Sequence, residues 1–223
     1  MHVTIIAKAP LPGEVKTRLC PPCTPQQAAE VAAAALRDTI VGIGELLELL
    51  APTWSSALPP LRRVLLWDGP IGDWGEGFEV VAQSAGTLGD RLAAGFHRLG
   101  AGVIIGMEAP AAVPHLATGL RAAAVGLDSL GLATDGGYWM VGLGARNAAR
   151  ATDVFAGVPM SSSRTGLAQL RRFAALESPV KLLPMARDLD TGDDLRAVAG
   201  AEFDGELRRT ARRVLGMEPT GSG

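Results

Sequence analysis

Residues 1–18 read MHVTIIAKAPLPGEVKTR, a short β-branched run followed directly by a rigid loop. Residues 3–6 have the composition of a buried strand. Pro10 and Pro12 restrict the backbone of the loop, and Gly13 permits a tight turn within it. Open α/β sheets bind ligands at the edge where the carboxyl ends of their strands lie. The segment therefore predicts a ligand site after the first strand of an α/β sheet.

The loop is also strongly basic. Lys8, Lys16 and Arg18 stand against a single acid, Glu14. Cations in one tight turn repel each other unless an anion offsets them, and backbone N–H groups in such a loop suit phosphate. We therefore predict that the loop binds the phosphates of a nucleotide. The alternative is a solvated loop whose basic residues serve only solubility.

Length and composition limit the remaining classes. A chain of 223 residues suits one large domain, which we place at residues 1–218, with a flexible tail at 219–223. The net charge of −2 and the aromatic content of 4% predict no nucleic-acid partner. No apolar run approaches the roughly 18 residues of a membrane span, and no signal peptide is recognisable, so we expect a cytoplasmic protein.

The two cysteines form a Cys-Pro-Pro-Cys sequence at residues 20–23. A thiol at a helix N-terminus can have a lowered pKa, so a redox pair is one interpretation of Cys20 and Cys23. The three histidines are scattered and no second cysteine pair is present, which argues against zinc. We favour an ordinary loop.

Strands and helices alternate along the whole chain, which predicts a mostly parallel sheet covered on both faces. Thr24 is expected to cap a helix that Pro25 opens and Gln27 supports from its first turn. Strands are expected at residues 64–67, 78–82, 103–105, 127–133, 138–143 and 180–183. Further helices are expected at residues 88–99, 113–125, 147–155, 166–176 and 208–215.

Four polar clusters follow predicted strands, at residues 8–18, 106–110, 135–137 and 188–190. Because such positions converge on one edge of a parallel sheet, cations for phosphate and carboxylates for a divalent metal should meet there. Alternatively, these acids could serve only the backbone of their own segments. Asp188 and Asp190 would then cap the next helix, and Asp135 would only favour a turn.

Two further segments allow a structural and a functional interpretation. Residues 86–91, GTLGDR, form a glycine turn and a helix cap, and Arg91 could also reach a phosphate or the carboxylates. Residues 161–165, SSSRT, open a helix, so their hydroxyl groups cap it or bind a sugar or acceptor. The sequence does not separate these alternatives.

Five motifs in order resemble a bacterial family, DUF2064, of uncharacterised glycosyltransferase-A-like proteins. They are IAKAPLPGEVKTRL at 6–19, GMEAP at 106–110, TDGGYW at 134–139, VPMSSSRTG at 158–166 and RDLDT at 187–191. The resemblance covers roughly residues 3–200. It implies a nucleotide-diphospho-sugar transferase fold, a three-layer α/β/α sandwich with a mostly parallel mixed sheet. Related folds include the guanylyltransferases of molybdopterin and of phospholactate activation.

With the resemblance, the residues predict a glycosyltransferase that uses a nucleotide-sugar donor and a divalent cation, Mg²⁺ or Mn²⁺. Its catalytic residues would be Asp135 and Asp190, and its metal ligands Glu108 and Asp190. The acceptor would lie against Gly136, Gly137, Ser161 and Ser163. The predicted nucleotide-binding residues are Ala7, Lys8, Ala9, Pro10, Gly13, Lys16, Thr17, Arg18, Gln83, Gly89, Arg91 and Gly106. A homodimer is compatible with this prediction.

Two departures from the family pattern keep other functions open. The family usually has Asp followed by Ser or Thr where this chain has Glu108 and Ala109, and that Asp is the expected metal ligand. It often has an acid where this chain has Thr134. One alternative is a guanylyltransferase-like nucleotidyltransferase that acts on a phosphorylated acceptor. The other, which these departures favour, is a catalytically silent nucleotide-binding protein.

Overall fold

The structure is a computed structural model that describes residues 1–217, so the tail predicted at 219–223 lies outside the described residues. Within them, a mixed seven-stranded sheet is flanked by helices. The strands are β1 His2–Lys8, β2 Arg62–Asp68, β3 Glu79–Ala82, β4 Gly102–Gly106, β5 Asp128–Ala133, β6 Tyr138–Leu143 and β7 Val180–Ala186. The helices are α1 Pro25–Leu50, α2 Leu88–Leu99, α3 Leu116–Ala124, α4 Ala145–Ala148, α5 Ala151–Phe155, α6 Thr165–Ala175, α7 Gly192–Gly200 and α8 Glu206–Val214.

The order of the strands places a topological switch point beside β1. The sheet runs β3-β2-β1-β4-β6-β5-β7, so the chain leaves β1 toward β2 and β3 and then returns to β4 on the other side. β6 is antiparallel to both of its neighbours, and every other pair is parallel. The carboxyl ends of all strands except β6 therefore lie at one edge, and a crevice is expected between β1 and β4.

Helices cover both faces of the sheet. On one face, α1 packs on β1 and α3 packs on β4 and β5, in a core that includes Ile5, Leu36 and Leu120. On the other, α2 and α6 contribute Phe96 and Phe173 to a second core. Burying each such side chain stabilises the fold by about 1.5–3 kcal/mol. The predicted three-layer α/β/α sandwich is confirmed, and α7 and α8 pack against a further side of α1.

The predicted start of α1 is confirmed in detail. The Thr24 hydroxyl accepts a hydrogen bond from the Gln27 N–H at 3.2 Å, and the Gln27 side chain accepts one from the Thr24 N–H at 2.8 Å. Pro25 occupies the first turn, where no N–H donor is needed. Within residues 1–217, none of the helices combines the length and the apolar character needed to cross a bilayer.

Two predicted helices are wrong in part. Residues 110–115 form a 3-10 turn, and α3 begins only at Leu116, because the ring of Pro114 cannot join a regular helix at that point. The helix predicted at residues 147–155 is two short helices, α4 and α5, separated at Ala149 and Arg150. In both segments the apolar pattern of the sequence continues without interruption, although the helical backbone is interrupted.

Candidate functional site

A cavity of about 430 Å³ opens at the carboxyl ends of β1 and β4, beside the switch point. Ten of the predicted site residues line it. They are Ala7, Lys8, Lys16, Thr17, Arg18, Gln83, Arg91, Gly106, Glu108 and Asp190. Residues that are distant in sequence therefore meet here because parallel strands end at one edge of the sheet.

The basic loop after β1 is held in a defined conformation. The Ala9 N–H donates to the Asp68 carbonyl at 2.7 Å, which ties the start of the loop to the end of β2. Further along, Lys16 adopts the left-handed conformation, with φ of 49° and ψ of 36°. That conformation costs a residue other than glycine about 1–2 kcal/mol. The Lys16 side chain is only 9% exposed and points toward Glu108.

The positive charge of this loop is offset inside the protein. Each of its three cations has a carboxylate partner, so the anions that offset them come from the protein itself. The pairs are Lys8 with Glu14 at 3.0 Å, Lys16 with Glu108 at 3.3 Å, and Arg18 with Asp190 at 2.7 Å. Two of the three acids come from distant loops, so local sequence could not reveal them. The cavity therefore has alternating charges rather than a net positive wall.

Asp188 is a functional candidate that is not among the residues predicted from the sequence. The pKa of Asp188 is raised to about 6, first by burial and then by the charge of Asp135; the charge of Glu108 acts in the same direction, and Lys16 opposes the shift. Acids from three loops are therefore near one another. The signal in the sequence was the Asp-Leu-Asp alternation, in which Leu189 is fully buried between two more accessible acids.

The capping alternative for these acids is wrong. Thr191 caps α7, with a hydrogen bond from the Asp194 N–H to its hydroxyl group and one from the Thr191 N–H to the Asp194 carboxylate. Asp190 instead binds Arg18, and the Leu189 N–H donates to the Glu108 carbonyl at 3.3 Å. The segment after β7 is thus joined to the loop after β4, which places Asp190 and Glu108 on one cavity wall.

The donor set fits a divalent cation that also binds phosphate. Within residues 1–217, no group of three His, Cys, Asp or Glu side chains lies close enough to hold an ion by itself. Glu108 and Asp190 nevertheless line the same cavity, and both are about one-third exposed. Mg²⁺ is commonly held by one or two carboxylates together with phosphate oxygens of the substrate. Two carboxylates are therefore sufficient here if a phosphate completes the set.

Asp190, one of the two predicted catalytic residues, lines the cavity, whereas Asp135 and the predicted acceptor residues Gly136, Gly137, Ser161 and Ser163 do not. Asp135 accepts a hydrogen bond from the Gly137 N–H at 2.7 Å, so the turn alternative is correct for part of its carboxylate. Its charge also contributes, after the Asp190 hydrogen bond, to the raised pKa of Arg18. Gly136 packs directly against the carbonyl group of Ser163, which joins the two acceptor segments. The structure leaves the role of Ser161, which has a φ of 55°, as a prediction.

Several residues predicted to bind nucleotide lie away from this cavity. Ala9 and Pro10 line a separate groove beside Trp74. Gly89 is buried, and a Cβ atom there would contact the Met160 methyl group at 3.2 Å, so it permits close packing. Gly13, with a φ of 77°, serves the turn. These four residues are placed to shape the loop and helix rather than to contact a ligand in the cavity.

Among the lining residues that were not predicted, Tyr138 carries a polar group that could contact a ligand. Tyr138 begins β6, immediately after the Asp-Gly-Gly turn, and its hydroxyl group donates to the weak acceptor Met160 Sδ at 3.5 Å. Burial raises its pKa, so the hydroxyl stays protonated as a donor. The sequence could have indicated Tyr138 as a site residue, because it directly follows a turn that lies at the same edge as the carboxyl ends of the other strands.

The cysteine pair has the properties of an ordinary loop. Cys20 and Cys23 are both free thiols, and Cys23 is buried with Leu19 and Leu189. Burial raises the pKa of Cys23, whereas a reactive thiol requires a lowered pKa. The pair therefore packs the loop that carries Arg18 against the segment that carries Asp190.

Comparison with known proteins agrees with this architecture. The family model described as "Uncharacterized protein conserved in bacteria (DUF2064)" matches residues 56–162. The resemblance to DUF2064 is confirmed. The matched region includes the motif around Glu108 and the turn at Asp135, and it ends within the segment that contains Ser161. No curated protein matches the chain.

Solved structures with a similar fold cover nearly the whole chain. A crystal structure described as a "putative nucleotide-diphospho-sugar transferase from Desulfovibrio desulfuricans G20" has a TM-score of 0.79 and 20% identity, covering 97% of this chain and 95% of that one. Rv0371c from Mycobacterium tuberculosis H37Rv has a TM-score of 0.52 and 15% identity, covering 90% and 98%. At these identities the likeness establishes the fold, which is that of the nucleotide-diphospho-sugar transferases.

Proposed function

We propose that the protein is a glycosyltransferase that takes a sugar from a nucleotide-diphosphate donor. The observation that carries the proposal is the pairing inside the cavity. The two cations best placed for phosphate, Lys16 and Arg18, are held by the two carboxylates best placed for a metal, Glu108 and Asp190. The fold and the switch point support a nucleotide at this position.

The paired charges explain how a diphosphate would enter. Phosphate oxygens form charge-assisted hydrogen bonds with Lys16 and Arg18 and replace Glu108 and Asp190 as their partners. The two carboxylates are then free to hold Mg²⁺ or Mn²⁺ together with the phosphate. When bound, such a cation supplies positive charge that offsets the leaving diphosphate. Nucleotide and metal should consequently strengthen each other's binding.

The acceptor would approach from the side of Asp135. In the transfer, the acceptor oxygen attacks the anomeric carbon while the bond from that carbon to the diphosphate breaks. The proton of the acceptor hydroxyl passes to a carboxylate, a role that we assign to Asp135. The Gly137 N–H and the packing of Gly136 on Ser163 hold this carboxylate in place.

Product analysis tests the proposal directly. We would incubate the protein with individual nucleotide sugars and Mn²⁺, with simple sugars or water as acceptor, and measure release of nucleoside diphosphate. We expect release by the parent and its loss in Asp135→Asn, with Asp153→Asn as a control on the remote helix α5. Release of pyrophosphate from nucleoside triphosphates would instead identify a nucleotidyltransferase. Nucleotide binding without any turnover would identify a silent binding protein.

A further inference from the structure

Gln83 has no free N–H group to offer a ligand. It follows β3, and its side-chain Nε2 donates to the carbonyl oxygens of Ala7 at 2.8 Å and Leu66 at 3.0 Å. A carboxamide nitrogen has two N–H donors, so both are used. The two carbonyl groups also fix the orientation of the amide, because only the nitrogen can face them. Gln83 therefore joins the carboxyl ends of β1 and β2.

The other end of the amide holds Arg91. Gln83 Oε1 accepts a hydrogen bond from the Arg91 guanidinium at 3.2 Å. Arg91 Nε also donates to the Gly86 carbonyl at 3.2 Å, and the Asp68 carboxylate lies 3.6 Å from the guanidinium. Three different segments thus converge on one side chain. A guanidinium held in this way loses less conformational freedom when it binds an anion.

Arg91 retains donors for a ligand. It lines the cavity, and within residues 1–217 only its Nε and one terminal nitrogen have hydrogen-bond partners. Its remaining terminal nitrogen carries two N–H groups. The guanidinium is also attached to the first turn of α2, whose backbone is fixed by a capping box between Thr87 and Asp90. Arg91 therefore presents a positioned cation on the cavity wall.

We propose that Gln83 is a positioning residue for Arg91 and does not itself read the nucleotide base. This inference rests on the proposed function, because it takes the ligand to be a nucleoside diphosphate. It replaces the sequence-based prediction that Gln83 binds the nucleotide. Arg91 contributes to affinity through the negatively charged part of the ligand, and Gln83 contributes through Arg91.

A double-mutant cycle tests the coupling. We would titrate UDP, GDP and ADP, each with Mn²⁺, into the parent and into Arg91→Met, Gln83→Met and the double variant by calorimetry. Arg91→Met should weaken all three ligands by about tenfold or more, the value of a hydrogen bond to a charged group. Gln83→Met should weaken the binding of all three nucleotides by the same factor, which should be smaller than the factor for Arg91→Met. The double variant should match Arg91→Met, because Gln83 acts only through Arg91. Arg98→Met, on the exposed face of α2, is the control and should change nothing.

Other results would overturn the inference. A Gln83→Met variant that changes the order of preference among the three bases would show that Gln83 reads the base. If the affinity of the double variant fell by the product of the two single factors, Gln83 and Arg91 would contact the nucleotide independently. Arg91→Lys keeps the charge but loses the fork geometry, so it should behave like Arg91→Met even if Gln83→Met does not fold. Full affinity in Arg91→Lys would contradict positioning. Failure of the parent to bind any nucleotide would overturn both this inference and the proposed function.

Discussion

Lys16 shows how one residue connects the fold to the site. Its backbone is left-handed and its side chain is nearly buried, two features that each cost free energy. The Glu108 carboxylate compensates by holding the ammonium group at 3.3 Å. Because Glu108 has one methylene more than the Asp that the DUF2064 resemblance leads us to expect there, its carboxylate extends further from the end of β4. The ion pair is therefore part of the architecture of this cavity as well as its chemistry.

A stability comparison tests this view of Lys16. Glu108→Gln leaves a nearly buried cation without its partner, so we expect the free energy of unfolding to fall by about 1–3 kcal/mol, between the values for exposed and fully buried pairs. Glu14→Gln is the matched control, since it removes the partner of the well-exposed Lys8. It should have little effect. Urea unfolding measures both, and equal losses would contradict a special role for the Lys16 pair.

His2 makes the stability of the fold depend on pH. Burial lowers the pKa of its imidazole to about 4, and its ring contacts the Thr4 hydroxyl and the Gly100 carbonyl. The unfolded state therefore binds a proton more readily than the folded state between pH 4 and 6.5, so stability falls as the pH is lowered through this range.

The expected loss from this residue is about 2 kcal/mol between pH 7 and pH 5. His2→Gln does not titrate, so its stability should fall less over the same interval. Unfolding curves at several pH values give the difference between the two proteins. Parallel pH profiles for parent and variant would show that the imidazole titrates normally in the folded state.

At the scale of elements, the sequence predicted those features that have local causes. The capping residues and proline at the start of α1, and the apolar runs of β5 and β6, act on their own neighbours in the chain. The helix predicted from residue 113 was wrong at its start, because apolar periodicity alone gave too little weight to Pro114. Local signals therefore located most elements and misplaced some of their ends.

The turn between β5 and β6 depends on a contact that local sequence does not contain. Gly136 has a φ of 91°, and a Cβ atom there would overlap the carbonyl oxygen of Ser163. We expect Gly136→Ala to lower the free energy of unfolding by about 2–4 kcal/mol, from strain and overpacking together. Gly126→Ala is the control, because Gly126 has a similar φ of 83° with open space around it. It should lose only about 1 kcal/mol.

Denaturant unfolding of the two alanine variants separates the contact from the backbone strain. Equal losses would mean that the Ser163 segment moves away freely when a methyl group is added at position 136. The link between the two predicted acceptor segments would then be weak, and their joint assignment would lose its structural basis.

At the scale of the molecule, the topology explains why the site could be predicted in outline. Loops after β1, β4 and β7 meet because parallel strands end at one edge, and ten predicted residues line one cavity there. The partners within that cavity could not be predicted. Arg18 and Asp190 are 172 residues apart, and Gln83 and Ala7 are 76 residues apart, so their contacts follow only from the folded chain.

We expect this cavity to bind a nucleoside diphosphate through the cations of the loop after β1. Calorimetric titration of UDP, GDP, ADP and CDP with Mn²⁺ into the parent, Arg18→Ala and Arg209→Ala tests it most directly. Arg209 is a matched control, because it is an exposed arginine paired with Asp204 at 2.9 Å and does not line the cavity. We predict that at least one diphosphate binds the parent and Arg209→Ala equally and binds Arg18→Ala about tenfold more weakly. Equal affinity in all three proteins, or no binding to any of them, would contradict the claim.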